Sequence, residues 1–263
     1  MCTLIALNRC IPGASLVIAA NRDEYLDRPS EGPSLRETPC GAIVAPRDVR
    51  AGGTWLGMNA AGVFAALTNR PTDEPIQDAR SRGLLVTDAL ESPSAAQAVE
   101  RLKRERSGSR SYNPFNLLVV DSARCFLVTY DGAAIVRELP SGPHVVGNTD
   151  PFGERSPKLA KLDREVERIA ASDPDSVLPG LREVCASHSG NGDVFHDACV
   201  HAGAYGTRSS TILRVGEAPE DDVLHYADGA PCETHYDEFT PLLHDLRIPS
   251  RYAAGATAMR SIS

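Results

Sequence analysis

Short apolar runs broken by Gly, Pro and Asn dominate the pattern of this chain. Residues 4–7 and 16–20 are apolar and flank Pro12-Gly13. They predict two antiparallel strands buried on both faces. Pro then Gly suits the central positions of a type II turn. With those two residues as the loop, Ile11 pairs with Ala14, and Cys2 falls opposite Asp23 on one face of the sheet. A longer loop would slip the register and bring Arg22 or Glu24 there instead.

Polar residues and three prolines over 25–40 predict a loop, followed by a short strand at 42–45. Residues 52–58 and 63–67 flank Asn59-Ala60-Ala61-Gly62 and predict a second hairpin. Helical spacing follows over 81–90 and again from Ser94, where Ser94 and Gln97 match a capping box. Strands at 115–120, 125–130 and 133–139 form a meander, the last turn being Asp131-Gly132. Ser156 as N-cap and Pro157 at the first position open the clearest helix, with Leu159, Leu162, Val166 and Ile169 on one side. A helix over 177–185 is weaker, because Pro179-Gly180 interrupts it. Residues 209–215 and 223–227 read as closing strands, and 247–263 as a loose tail.

Hairpins rather than βαβ units imply antiparallel sheets. Strands apolar on both faces must be covered twice. The predicted fold is therefore α+β, a four-layer αββα sandwich. No repeat or linker divides residues 1–263, so a single domain is expected.

Composition narrows the function. A net charge of -8, with acids and bases interspersed, argues against nucleic-acid binding. No run approaches the ~20 apolar residues of a membrane span. Seven cysteines without a CxxC pair fit a reducing, cytoplasmic setting. Oligomeric state is left open, a homo-oligomer included.

Candidate chemistry centres on Cys2. If Met1 is removed, Cys2 carries both a thiol and a free α-amine of unperturbed pKa ~8, which can accept the thiol proton. Asp23 across the hairpin would orient that amine. Arg22, Asn69, Asn148 and Arg208 all lie at predicted strand ends and offer amide and guanidinium donors for an oxyanion or an anionic substrate. Trp55 is a candidate wall of the substrate pocket. His188, His196, Cys199 and His201 crowd a Gly-rich stretch, but their spacings match no standard zinc site, and no metal is expected.

Met1-Cys2-Thr3, Asn21-Arg22-Asp23-Glu24, Gly52-Gly53-Thr54-Trp55-Leu56-Gly57, Thr68-Asn69-Arg70, Ser81-Arg82-Gly83, Gly147-Asn148 and the run from Tyr205 to Thr211 together resemble the NRDE, or Transport and Golgi organization protein 2, family. That family is similar to N-terminal nucleophile hydrolases such as bile salt hydrolases, penicillin V acylases and the penicillin-forming acyltransferase. The resemblance implies attack by Cys2 on an amide or thioester carbonyl of a small acyl substrate, through an S-acyl intermediate. It implies that Asp23 holds the amine, that Asn69 and Asn148 form the oxyanion site, and that Arg22 and Arg208 support nucleophile or substrate. Those acylases separate their arginine and aspartate by two residues, whereas Arg22 and Asp23 are adjacent. The resemblance therefore leaves Asp23 or Glu24 open, and the hairpin register favours Asp23. Eukaryotic members are linked to haem movement and to lipid or acyl-CoA homeostasis. The competing expectation is therefore a binding protein in which Cys2 and histidines hold haem, although no CxxCH motif is present.

Overall fold

The computed structural model describes residues 2–105, 112–190 and 192–246, so Met1 and the tail from 247 lie outside the described residues. Strands β1 (Thr3–Ile11) and β2 (Ala14–Tyr25) form the first hairpin. Gly13 takes φ +71°, which glycine adopts at the second turn position without steric cost. Ile11 pairs with Ala14 as the pattern predicts, but the register shifts between Asn8 and Ile11. Arg9 lies inside that shift at φ 49°, a left-handed conformation unusual for a residue with a Cβ. Beyond the bulge Thr3 pairs with Asn21 and Leu4 with Ala20.

Continued by one residue, this register sets Cys2 opposite Arg22. Asp23 instead shares its face with Thr3 and Asn21. This corrects the expected pairing of Cys2 with Asp23 on one face, since a slip of one residue exchanges faces.

The hairpin belongs to a sheet that also contains β10 (Gly142–Val146), β11 (His201–Ala202), β12 (Tyr205–Gly216), β13 (Val223–Ala227) and β14 (Asp237–Glu238). Its order is β10-β1-β2-β12-β13-β14, with β11 paired to β12. The second sheet is an antiparallel meander of β3 (Ser30–Thr38), β4 (Gly41–Asp48), β5 (Leu56–Asn59), β6 (Phe64–Asn69), β7 (Phe115–Val120), β8 (Cys125–Asp131) and β9 (Ala133–Glu138). Strand β3 replaces much of the loop expected over 25–40. It is an edge strand, and Pro33 lies where its register shifts between Glu31 and Ser34, so the missing N–H leaves no ladder bond unmade.

Leu4, Ile18, Phe64 and Leu118 fill the space between the sheets. Helices α1 (Arg82–Leu90) and α2 (Ala95–Glu105) cover the second sheet, packing Leu85, Val86 and Val99 on Leu117 and Val119. Helices α3 (Pro157–Ala170) and α4 (Pro174–Ala186) cover the first sheet, packing Leu162, Val166 and Leu181 on Ile5, Val17 and Ile212. The layers are αββα. Hydroxyls of Ser81, Ser94 and Ser156 cap their helices by accepting from the Gly83, Gln97 and Leu159 amides. Helix α4 runs through Pro179, and Gly180 beside it lets Ile169 of α3 approach closely. None of the described helices is long and apolar enough to cross a membrane.

Candidate active site

Where β1 starts and β2 and β6 end, the two sheets leave a cavity of about 400 Å³. Cys2, Arg22, Asp23, Trp55 and Asn69 line it, as do Arg28, Asp48 and Arg82, to which sequence reasoning had given no role. Cys2 keeps part of its surface open. Burial by its surroundings pushes the thiol pKa up, and the nearby Asp23 charge adds to the rise. The resting thiol is therefore protonated and needs a base. Its Sγ lies 3.8 Å from the Asp23 carbonyl oxygen, which also accepts from the Tyr205 hydroxyl at 3.1 Å.

Asp23 is almost wholly buried, and Oδ1 accepts from Thr207 Oγ1 at 2.7 Å. Thr207 Oγ1 in turn accepts from the Val200 amide at 2.9 Å. Gly206 makes this possible, since a Cβ there would meet the Val200 carbonyl oxygen at 2.6 Å. Burial pushes the Asp23 carboxyl up. A folded pKa above the unfolded one favours the fold below the unfolded pKa, and that advantage is lost as pH rises through the folded value. Asp23→Asn should therefore raise Tm at pH 7, and the gain should shrink as pH falls below 4, where both forms are neutral. Scanning calorimetry at both pH values checks this. A variant equally or less stable at pH 7 contradicts it.

The Arg22 guanidinium lies 4.3 Å above the centre of the Trp55 ring. Nη2 is 3.9 Å from Glu24 Oε2, whereas Nη1 is buried without a hydrogen-bond partner among the described residues. Burial lowers the pKa values of Arg22 and Arg82. Arg28 instead makes a two-nitrogen contact with Asp48 Oδ2, at 2.9 and 2.7 Å. Burial works against the Asp48 anion, but hydrogen bonds from Arg28 and the Ala51 amide prevail and hold its pKa low. Glu24 accepts from the Tyr25 amide and faces Arg22 and Arg28. Its position follows the arginines, and Asp23 is the acid nearer the buried end of the site.

Two expected residues are not brought to the cavity. Arg208 occupies the register shift between Thr207 and Ser209, and Nη1 pairs with Asp228 Oδ1 at 2.6 Å. It lines a different cavity, with Tyr205 and Glu233. Asn148 donates to the Asn69 carbonyl oxygen, so it braces Asn69 rather than lining the cavity. Asn116, which carried no sequence signal, holds the same turn by donating to the carbonyls of Gly147 and Thr149 at 3.0 and 2.9 Å. Among the described residues no histidine lines the cavity, so the expected haem set of Cys2 with histidines does not assemble there.

The sequence profile of the family described as Transport and Golgi organisation 2 matches residues 1–224. The chain belongs to that family. The Transport and Golgi organization protein 2 homologues of Bos taurus and Homo sapiens are each 28% identical, over 76% of this chain and 82% of theirs. The Mus musculus homologue is 39% identical over 111 residues, a match spanning 40% of this chain and 38% of that protein. Among solved structures, penicillin V acylase from Agrobacterium tumefaciens superposes with a TM-score of 0.61 at 15% identity, over 95% of this chain and 89% of the acylase. A Caenorhabditis elegans N-acylethanolamine-hydrolyzing acid amidase ortholog gives 0.57 at 13% identity, over 80% and 92%. These likenesses establish the N-terminal nucleophile hydrolase fold for this family member.

Proposed function

We propose that this family member is an N-terminal cysteine hydrolase or acyltransferase acting on an amide or thioester. The observation that carries the proposal is the position of Cys2. The Cys2 thiol lies in the wall of a cavity, next to a buried guanidinium with a donor that none of the described residues engages. Two neighbours in fold, an acylase and an amidase by name, support cleavage of acyl groups.

With Met1 removed, the Cys2 α-amine takes the thiol proton, and Asp23 holds the resulting ammonium. The thiolate attacks the substrate carbonyl carbon, and the developing oxyanion accepts hydrogen bonds from Asn69, which Asn148 braces. Collapse breaks the bond to the amine or thiol leaving group, which departs with the ammonium proton. Water or an acceptor, deprotonated by the same amine, then cleaves the S-acyl bond and restores Cys2. Arg22, stacked on Trp55, gives its free donor to a polar or anionic group of the substrate.

Intact mass spectrometry tests this reading. The purified chain should lack Met1. After rapid acid quench with a panel of acyl thioesters and acyl anilides it should gain the mass of one acyl group, mapped to Cys2. Tight binding of a thioester with neither acylation nor turnover would replace catalysis by the competing reading, a binding protein for acyl thioesters.

A further inference from the structure

Outside the cavity, the fold gathers four side chains that the spacing of the sequence keeps apart. One ligand atom from each of His188, Cys199, His201 and Cys232 lies within 4.8 Å of all the others. Cys199 precedes β11, His201 opens it, and Cys232 comes from the loop after β13, which returns beside β12. His196, counted with this group on sequence alone, is not part of it. Its Nδ1 lies 3.2 Å from Asp193.

Three of the separations lie close to the edges of a metal tetrahedron. Cys199 Sγ is 3.5 Å from Cys232 Sγ, and His201 Nε2 is 3.1 Å from Cys232 Sγ and 3.7 Å from Cys199 Sγ. Zinc bonds of about 2.3 Å to sulfur and about 2.0 Å to nitrogen give tetrahedral edges of roughly 3.8 Å between sulfurs and roughly 3.5 Å between sulfur and nitrogen. A second observation points the same way. Asp197 is buried, and Oδ2 lies 3.5 Å from His188 Nδ1. A carboxylate on one ring nitrogen orients a histidine so that the other nitrogen can bind metal. Asp197 is itself held by the Ser189 amide.

We infer that His188, Cys199, His201 and Cys232 bind one Zn²⁺ in a closed, four-coordinate structural site. Both thiols lose their protons to solvent on binding, and the imidazoles stay neutral, so two thiolates balance the 2+ charge. The bound ion clamps His188 and residues 199–201 to the loop after β13. Val200, between two of the ligands, donates to Thr207, which holds Asp23. The clamp therefore stabilises the segment behind the active site, and it does not depend on the chemistry at Cys2.

The test uses full-length protein purified under reducing conditions without an immobilised-metal column. Elemental analysis should find about one zinc per chain, and chelation should lower Tm, because metal that binds only the fold stabilises it. Cobalt(II) added to the stripped protein should give intense tetrahedral d–d bands and sulfur-to-cobalt charge transfer. Cys232→Ser and His201→Ala, both at exposed positions, should weaken cobalt binding at least tenfold, and Cys232→Ser should reduce the charge-transfer band. His196→Ala should behave as wild type. Reduced wild-type protein that takes up no zinc or cobalt overturns the inference. So does cobalt binding unchanged in Cys232→Ser and His201→Ala. A Cys199–Cys232 disulfide whose reduction restores no metal uptake overturns it as well.

Discussion

Cys2→Ala should lower kcat/KM by roughly 10³-fold or more, because it removes the only atom proposed to bond to the acyl group. Tm should hardly move. The side chain is partly exposed, and its Sγ approaches the Asp23 carbonyl oxygen at 3.8 Å. Cys2→Ser puts an oxygen nucleophile in place of sulfur and loses the acidity of a thiol, so its rate should fall between those of wild type and Cys2→Ala. The pH profile carries a sharper signature. Burial raises the Cys2 thiol pKa, so the active form is the protonated thiol beside a neutral amine. Activity should rise with pH as that amine loses its proton. Protein that retains Met1 has no amine on Cys2 and should be as inactive as Cys2→Ala. Steady-state kinetics on samples of known N-terminal mass separate these cases. Full turnover by folded Cys2→Ala, or equal activity with Met1 retained, removes the mechanism.

The elements that the hydrophobic pattern predicted carry either a regular apolar face or an unbroken apolar run of strand length. Helix α3 shows this through Leu159, Leu162, Val166 and Ile169, all buried against β1 and β2. The β7 to β9 meander shows it through paired apolar runs. What a period cannot carry is a single irregular residue. The bulge at Arg9 slips the first hairpin by one position, and that slip decides which of Arg22 and Asp23 shares a face with Cys2. A second bulge at Arg208 turns a motif arginine toward Asp228. Strand β3 was hidden because Pro33 looks like a strand breaker, whereas an edge position with a register shift tolerates it. The His188, Cys199, His201 and Cys232 cluster was hidden for another reason. Its last member is 33 residues beyond Cys199, and only the return of β13 beside β12 brings it close.

The second large effect concerns glycines of the motif segments, which have no side chain to offer. Gly53→Ala should destabilise the fold by about 3 kcal/mol, the upper end of overpacking costs, and lower Tm by roughly 6–12 °C. A Cβ on Gly53 would lie 2.2 Å from the Gly83 carbonyl carbon and 2.5 Å from both the Gly83 oxygen and the Leu84 nitrogen. All three are backbone atoms of the first turn of α1, so no side-chain rotation relieves the overlap. The two segments are also tied together, with the Thr54 amide donating to the Gly83 carbonyl at 3.1 Å. Relief requires α1 to retreat from the second sheet, opening the packing of Leu85 and Val86. Arg82 lies one residue before Gly83 and lines the cavity, so the same retreat moves the cavity wall. Below its melting temperature the variant should therefore show a raised KM, while Cys2 remains reactive toward a small thiol reagent. Gly153→Ala is the matched control, since a Cβ there makes only ordinary contact with Asp150 at 3.4 Å. Thermal unfolding of the two variants side by side decides the point. A Gly53→Ala protein that melts with Gly153→Ala would show that α1 does not press against the Gly52-Gly53-Thr54-Trp55 segment. The link from α1 to the cavity wall through Arg82 would fall with it.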